Sequence, residues 1–248
     1  MFAPLYHAHH TLHSEDLPFW HALASQQGSP ILELGCGTGR VFLPLYQQGF
    51  EIVGLDNNPA MLVYLKSLAG GAPVSVFQAD MSAFHLAQTF ALTILPCNTF
   101  SSLTFEQRRG TLACARRHLQ AGGLLAISMP NPDLLAQLPQ RSALETEDVF
   151  PHPGDGEPVE AASAWRRGKK QITFTWQYDH FLADGRTERL ATQVTHTLQP
   201  IDAYCAEIEA AGLHIVDQYG DYDRSRHNVD SPYLIFTMAT RQPLPARD

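Results

Sequence analysis

A chain of 248 residues with 44% hydrophobic content can bury one sizeable core, so one main domain with at most a modest insertion is expected. With 17 Lys+Arg against 25 Asp+Glu the formal charge is -8, which repels a phosphate backbone and argues against a nucleic-acid partner; the basic clusters at 108–109, 116–117 and 166–170 read as solvated faces or a turn. The four cysteines have no C-x-x-C spacing, no apolar run reaches the roughly 18 residues of a membrane span, and the first residues lack the layout of a signal peptide, so a soluble cytoplasmic protein with reduced thiols and no membrane partner is expected.

Residues 17–27, with an early Pro18 and a closing Gly28, read as a helix ahead of the first strand. PILELG at 30–35 is a short continuous apolar run, as a strand buried on both faces should be. A helix over 38–49 follows, in which Pro44 predicts a kink or a late start. EIVGLD at 51–56 is a second strand, 57–71 a helix with an Asn cap and Pro59 at its first position, and PVSVFQAD at 73–80 a third strand. FALTILP at 90–96 is a fourth strand; 102–123 reads as a helix with a Thr104/Gln107 capping box, ending on glycines; LLAISMP at 124–130 is the fifth strand.

Residues 131–157, rich in Pro, Gly and acids, break this rhythm and carry no predicted element. From 162 to 199 polar residues alternate with apolar or aromatic ones, with turn signals at Gly168 and Asp184-Gly185, which predicts an antiparallel β insertion. Residues 200–212 are helical, and 213–220 and 233–240 are two last strands. The expected fold class is α/β: a Rossmann-like, doubly wound, mostly parallel sheet of seven strands plus the insertion. The expected units are 1–27, an N-terminal lid and helix; 28–130, the α/β core; 131–199, the insertion; and 200–248, the rest of the core. Oligomeric state is left open.

The turn after the first strand, GCGTG at 35–39, delivers bare backbone to a helix start, where free N–H groups favour a nucleotide-like ligand. It lacks the G-x-G-x-x-G spacing of dinucleotide sites. Asp56 ends the second strand 17 residues past Gly39 and is placed to accept from ribose hydroxyls, and Asp80 ends the third strand beside the same crevice.

Together LELGCGTGR, VGLDNNPAML, FQADMSAF and HLQAGGLLAI resemble the successive motifs of class I S-adenosylmethionine-dependent methyltransferases, closely over 28–130 and in outline over the last two strands. The resemblance implies S-adenosylmethionine as cofactor. It assigns the methionine half to Glu33, Gly35, Cys36, Gly37 and Gly39, the ribose to Asp56, and the adenine to Asp80 with Met81, flanked by Asn57 and Met61. Asn98 and Thr99, after the fourth strand, fall nearest the transferred methyl. The sequence there is not N-P-P-Y, which lowers the expectation of a nucleic-acid base or protein amide as substrate. The insertion resembles that of small-molecule methyltransferases, including sugar amine N-methyltransferases, where it covers the acceptor; a small-molecule acceptor, methylated on N or O rather than C, is expected.

Candidates for a base or for positioning are Tyr6, His10, Asn98 and Tyr178, with Tyr6 also near the cofactor; His9, His180 and Tyr222 are further candidates for a base. The tract HAHHTLH at 7–13 has metal-ligand residue types, but without cysteine or a second histidine cluster it reads as a lid or a solvated segment, and no metal is expected. Most of the insertion's aromatics read as core, and Cys36 and Cys97 as packing residues. A catalytically silent cofactor-binding regulator and a nicotinamide-dependent oxidoreductase are the alternatives.

Overall fold

A computed structural model describes residues 2–240, so the last eight residues of the expected C-terminal unit lie outside the described residues. The chain opens with α1 (Phe2–His10) and α2 (Leu17–Gln27), then alternates through β1 (Ile31–Leu34), α3 (Phe42–Gln47), β2 (Ile52–Asp56), α4 (Pro59–Leu68), β3 (Ser75–Gln78) and β4 (Phe90–Leu95). α5 (Thr99–Ser102), α6 (Phe105–His118), β5 (Leu119–Pro130) and α7 (Pro132–Gln137) follow. Four strands then run consecutively, β6 (Glu145–Pro151), β7 (Pro158–Arg167), β8 (Gln171–Phe181) and β9 (Thr187–Thr197), before α8 (Ile201–Ala210), β10 (Leu213–Tyr219) and β11 (Tyr233–Thr240) close the chain.

Seven strands form one sheet in the order β10-β11-β5-β4-β1-β2-β3, and β6 to β9 form a separate antiparallel sheet. The first sheet is parallel except for β11, which runs antiparallel to both β5 and β10. β1 is buried along its whole length because β2 and β4 flank it and helices cover both faces, which is why ILEL reads as an unbroken apolar run. One large core packs Leu34, Leu55, Phe90 and Phe236 on one face, and a second packs Trp20, Phe42, Leu65 and Ile94 on the other. With neighbouring strands running parallel, the C-terminal ends of β1, β2 and β4 open on one side of the sheet, where such folds bind ligands.

Several expectations hold in detail. Asn58 caps α4 by accepting from the Ala60 amide at 3.0 Å, with Pro59 next to it. Thr104 and Gln107 form the reciprocal capping box of α6 at 2.9 and 3.2 Å. α3 starts late, at Phe42, leaving Pro44 in the first turn, where a missing N–H costs nothing. The insertion's turns fall at Gly168 and Asp184-Gly185.

Other boundaries are corrected. The helix expected to run to Gly123 stops at His118, and β5 begins at Leu119, which pairs with Phe90. The backbone carbonyl oxygen of Phe90 lies 2.9 Å from where a Cβ on Gly123 would sit, so that glycine serves close strand pairing rather than a helix end. The stretch 131–157 carries α7 and β6; the latter pairs with β7 through a register shift that its acidic, Pro-flanked sequence does not advertise. The N-terminal histidine tract lies largely in α1. A third, small core of Leu5, Phe150, Val159, Ala161 and Tyr178 fixes α1 to the insertion sheet, and burying Leu5 there contributes about 1.5–3 kcal/mol. No helix among the described residues is long and apolar enough to cross a membrane.

Candidate active site

The glycine turn is bound to the end of β2. The Gly35 and Cys36 amides both donate to the Leu55 carbonyl, at 2.7 and 2.9 Å, and the Gly37 amide donates to Asp56 Oδ2 at 2.8 Å. Asp56 Oδ1 accepts from the Asn58 amide at 2.8 Å, so the carboxylate is oriented from both sides while its remaining lone pairs stay available. All three glycines have positive φ, but for different surroundings. A Cβ on Gly37 would meet nothing nearer than Asp56 Oδ2 at 4.0 Å, so backbone there borders open space. A Cβ on Gly35 would lie 3.2 Å from Met81 Cε and 3.6 Å from Thr99 Cγ2, which shows that Gly35, Met81 and Thr99 converge. A Cβ on Gly39 would lie 2.9 Å from Leu65 Cγ and 3.0 Å from Leu43 Cγ, so Gly39 lets two helices close on the turn.

At the neighbouring strand ends, Asp80 is exposed, and its Oδ1 accepts from the Ser82 amide and hydroxyl at 2.8 and 2.7 Å, which holds its carboxyl below the usual range. The Asn57 carbonyl accepts from Gln78 Nε2 at 3.3 Å, and Met61 is buried on α4.

Two buried polar atoms beside the turn have no partner among the described residues: Glu33 Oε2 and Asn98 Oδ1. Burial pushes the Glu33 carboxyl well up, with the Arg40 charge opposing. Cys97 and Asn98 both sit in the left-handed region, at φ 62 and 63, which is costly for side-chain-bearing residues and aims Asn98 from the end of β4 into the crevice. Ser101 Oγ braces this turn by donating to the Asn98 carbonyl at 3.1 Å, and lies 2.9 Å from His196 Nδ1 of β9. Unpaired acceptors at Glu33 and Asn98, open backbone at Gly37 and an oriented carboxylate at Asp56 are the groups that could hold an ammonium-bearing tail and a ribose; they fit S-adenosylmethionine chemically.

α1 lies across the turn. His7 Nδ1 is 3.0 Å from Thr38 Oγ1, and the Tyr6 and His10 rings pack at 3.9 Å, tilted by 46°. Tyr6, His10, Asn98 and Tyr178, drawn from three distant parts of the chain, line one cavity of about 370 Å³ with Thr99 and Trp176. A second cavity of about 620 Å³ shares His10, Cys97, Asn98 and Trp176 and adds Glu15, Asp16, Asp221, Tyr222 and Tyr233. Burial pushes the Tyr6 and Tyr222 hydroxyls up and that of Tyr178 to about 12, so all three stay protonated at neutral pH. Burial lowers His10 to about 3, which keeps it neutral. The Cys36 and Cys97 thiols are likewise pushed up by burial, in keeping with packing roles. His180 does not line either of these cavities; it lies with His152 and Asp155 in a neighbouring cavity that shares Tyr178 with the first.

Sequence reasoning missed five contributors. Arg40, directly after the glycine turn, makes a bidentate pair with buried Asp16 at 2.6 Å on each arm and donates to Cys97 Sγ at 2.9 Å. Trp20 Nε1 completes Asp16's shell at 2.9 Å. Asp221 comes from the loop after β10, and Asp148 from the unpredicted β6; a lone acid in a polar stretch gives no signal of either.

Comparison with known proteins agrees with this geometry. Residues 31–123 match a family described as a methyltransferase domain. Over 197 residues the chain is 25% identical to a cypemycin N-terminal methyltransferase from Streptomyces, covering 79% of this chain and 76% of that one. The fold superposes on a sugar N-methyltransferase from Streptoalloteichus with a TM-score of 0.74 at 20% identity, covering 93% and 88% of the two chains. It also superposes on a glycopeptide N-methyltransferase complexed with S-adenosylmethionine, with a TM-score of 0.63 at 18% identity and coverage of 91% and 87%.

Proposed function

We propose that this chain, which belongs to the class I S-adenosylmethionine-dependent methyltransferases, methylates a small-molecule amine. The observation that carries this reading is the character of the larger cavity, where the carboxylates of Glu15, Asp16 and Asp221 outnumber the one guanidinium, Arg40, beside the faces of Trp176, Tyr222 and Tyr233. Carboxylates and aromatic faces attract an organic cation, and an amine is the acceptor that arrives as one. The names of the relatives, an N-terminal methyltransferase, a sugar N-methyltransferase and a glycopeptide N-methyltransferase, support the same class.

S-adenosylmethionine supplies an electrophilic methyl on a sulfonium, and the displacement needs alignment more than acid-base chemistry. In this reading Glu33 and the Gly35–Gly39 backbone hold the methionine half. Asp56 accepts from the ribose hydroxyls, and Asp80, Met81, Asn57 and Met61 surround the adenine. Asn98 and Thr99 stand at the end of β4, where methyl and acceptor meet. Once the bound ammonium has lost its proton to solvent, neutral His10 accepts the N–H of the resulting uncharged amine and so turns the nitrogen lone pair toward the methyl, while the Tyr6 and Tyr178 hydroxyls donate to polar groups of the acceptor. Roofing by α1 and the insertion excludes water, and fixing two reactants in line can supply on the order of 7–11 kcal/mol of the barrier.

The reading is tested by a double variant, Glu15→Gln with Asp221→Asn, assayed on a panel of primary and secondary amines. KM should rise about fivefold, less at high salt, with kcat and cofactor affinity near those of the parent. An unchanged KM for every amine that turns over contradicts it.

A further inference from the structure

We propose that His9, His13 and Asp148 form a binding site for one divalent transition-metal ion of the zinc class. His9 Nε2 lies 3.2 Å and His13 Nε2 2.9 Å from the same oxygen, Asp148 Oδ2, and the three ligand atoms all lie within 4.8 Å of one another. A tetrahedral zinc centre with bonds of about 2.0–2.2 Å sets its ligand atoms roughly 3.4 Å apart, so each imidazole–carboxylate pair is within a few tenths of an ångström of that spacing, while the two imidazole nitrogens lie within 4.8 Å of each other. The His9 and His13 ring centroids are 5.9 Å apart at 80°, so their lone pairs converge from different directions. Two imidazoles and a carboxylate suit zinc and its neighbours rather than calcium or magnesium.

The surroundings are those of a metal-binding histidine. His9 is buried, with its other nitrogen, Nδ1, 3.0 Å from Tyr178 Oη; donating its Nδ1 proton there leaves the Nε2 lone pair free for the ion. Its ring stacks on Phe150 at 5.7 Å and 5°, which fixes its plane. His9 and His13 are four residues apart across the end of α1, and β6 supplies the third ligand that the histidine tract lacks on its own. Both histidines border the larger cavity, leaving a coordination position for water or a ligand atom. A bound ion would tie α1, the roof of the crevice, to the insertion.

A second group, His152, Asp155 and His180, also clusters, with His152 Nδ1 and His180 Nε2 2.9 and 3.1 Å from the same Asp155 Oδ1, but its imidazoles stack on each other at 3.9 Å and 19° and its carboxylate is exposed, so neither ring is fixed by protein around it as His9 is. It serves as the control. The full chain is stripped with a chelator and titrated with Co²⁺ alone, following the visible absorption of the bound ion, and then with Zn²⁺ in competition. One ion per chain is expected. His13→Ala and Asp148→Asn should each weaken it by roughly a hundredfold or more, Tyr178→Phe by about 10–100-fold, and His152→Ala should leave it unchanged. His13 is 58% exposed, so its removal leaves the fold intact. No uptake of either ion, uptake unaffected by His13→Ala, or uptake abolished by His152→Ala would overturn the proposal.

Discussion

The Gly37 amide donates to Asp56 Oδ2 at 2.8 Å, which makes the glycine turn and the carboxylate of the second strand one structural unit. Asp56→Ala should weaken S-adenosylhomocysteine binding by about 1.5–3 kcal/mol per lost charged hydrogen bond, with about tenfold for each 1.4 kcal/mol. Calorimetry at matched salt checks this, and an unchanged affinity would remove Asp56 from the ribose role.

Gly37→Ala and Gly39→Ala should separate binding from folding. At Gly37 the new methyl finds open space, so stability should fall by only about 1–2 kcal/mol for the left-handed backbone, while cofactor affinity collapses. At Gly39 the methyl runs into Leu65 and Leu43, and overpacking adds about 1–3 kcal/mol to the same backbone cost. Thermal melts beside cofactor titrations give both quantities; equal melting losses for the two variants would contradict the distinction.

Much of this crevice was legible in the sequence because strand ends in a parallel sheet are close in space whenever the β-α rhythm is readable. GCGTG, Asp56, Asp80 and Asn98 each end or follow a recognisable apolar strand, and the structure gathers Gly35, Met81 and Thr99 as that rhythm implies. The acceptor side was less legible. A lid was expected over 1–27, but α1 owes its position to contacts with an insertion more than a hundred residues away, so nothing local in FAPLYHAHH says what it docks on. β6 pairs through a register shift and Asp148 is one acid among several, so its convergence with His9 and His13 follows only from tertiary pairing. Arg40 stood in plain view after the turn, but its partner Asp16 lies in a stretch with no periodicity to place it.

Asn98→Gly should leave stability unchanged or slightly raised, because glycine takes φ 63 without strain, while kcat falls. Losing the side chain removes the buried Oδ1 that has no protein partner, so the effect appears on catalysis and not on folding. Full activity in Asn98→Gly would place the reacting centre elsewhere.

His196, buried against Ser101, is lowered to about 4 by desolvation. The unfolded chain therefore takes up its proton near pH 6.5, while the folded one resists until about pH 4. Stability should fall as pH drops through that window, by about 3 kcal/mol from this residue, and lose no more from it below pH 4. His196→Gln should flatten the slope in urea titrations between pH 4 and 6.5; an unaltered slope would show that other groups set it.

None of the buried tyrosines lining the two cavities, nor His10, is poised to act as a base near pH 7. The pH profile of kcat/KM should therefore follow the acceptor, its midpoint moving with the pKa of each amine. A midpoint that stays fixed across amines of different basicity would reveal a protein base.

The most direct measurement offers a panel of small amines, phenols and carboxylates to the protein with S-adenosylmethionine carrying an isotopically labelled methyl group, and reads the products by mass spectrometry. The account predicts label on nitrogen of at least one amine, in step with released S-adenosylhomocysteine. Labelled phenol or carboxylate products with every amine left untouched would contradict it.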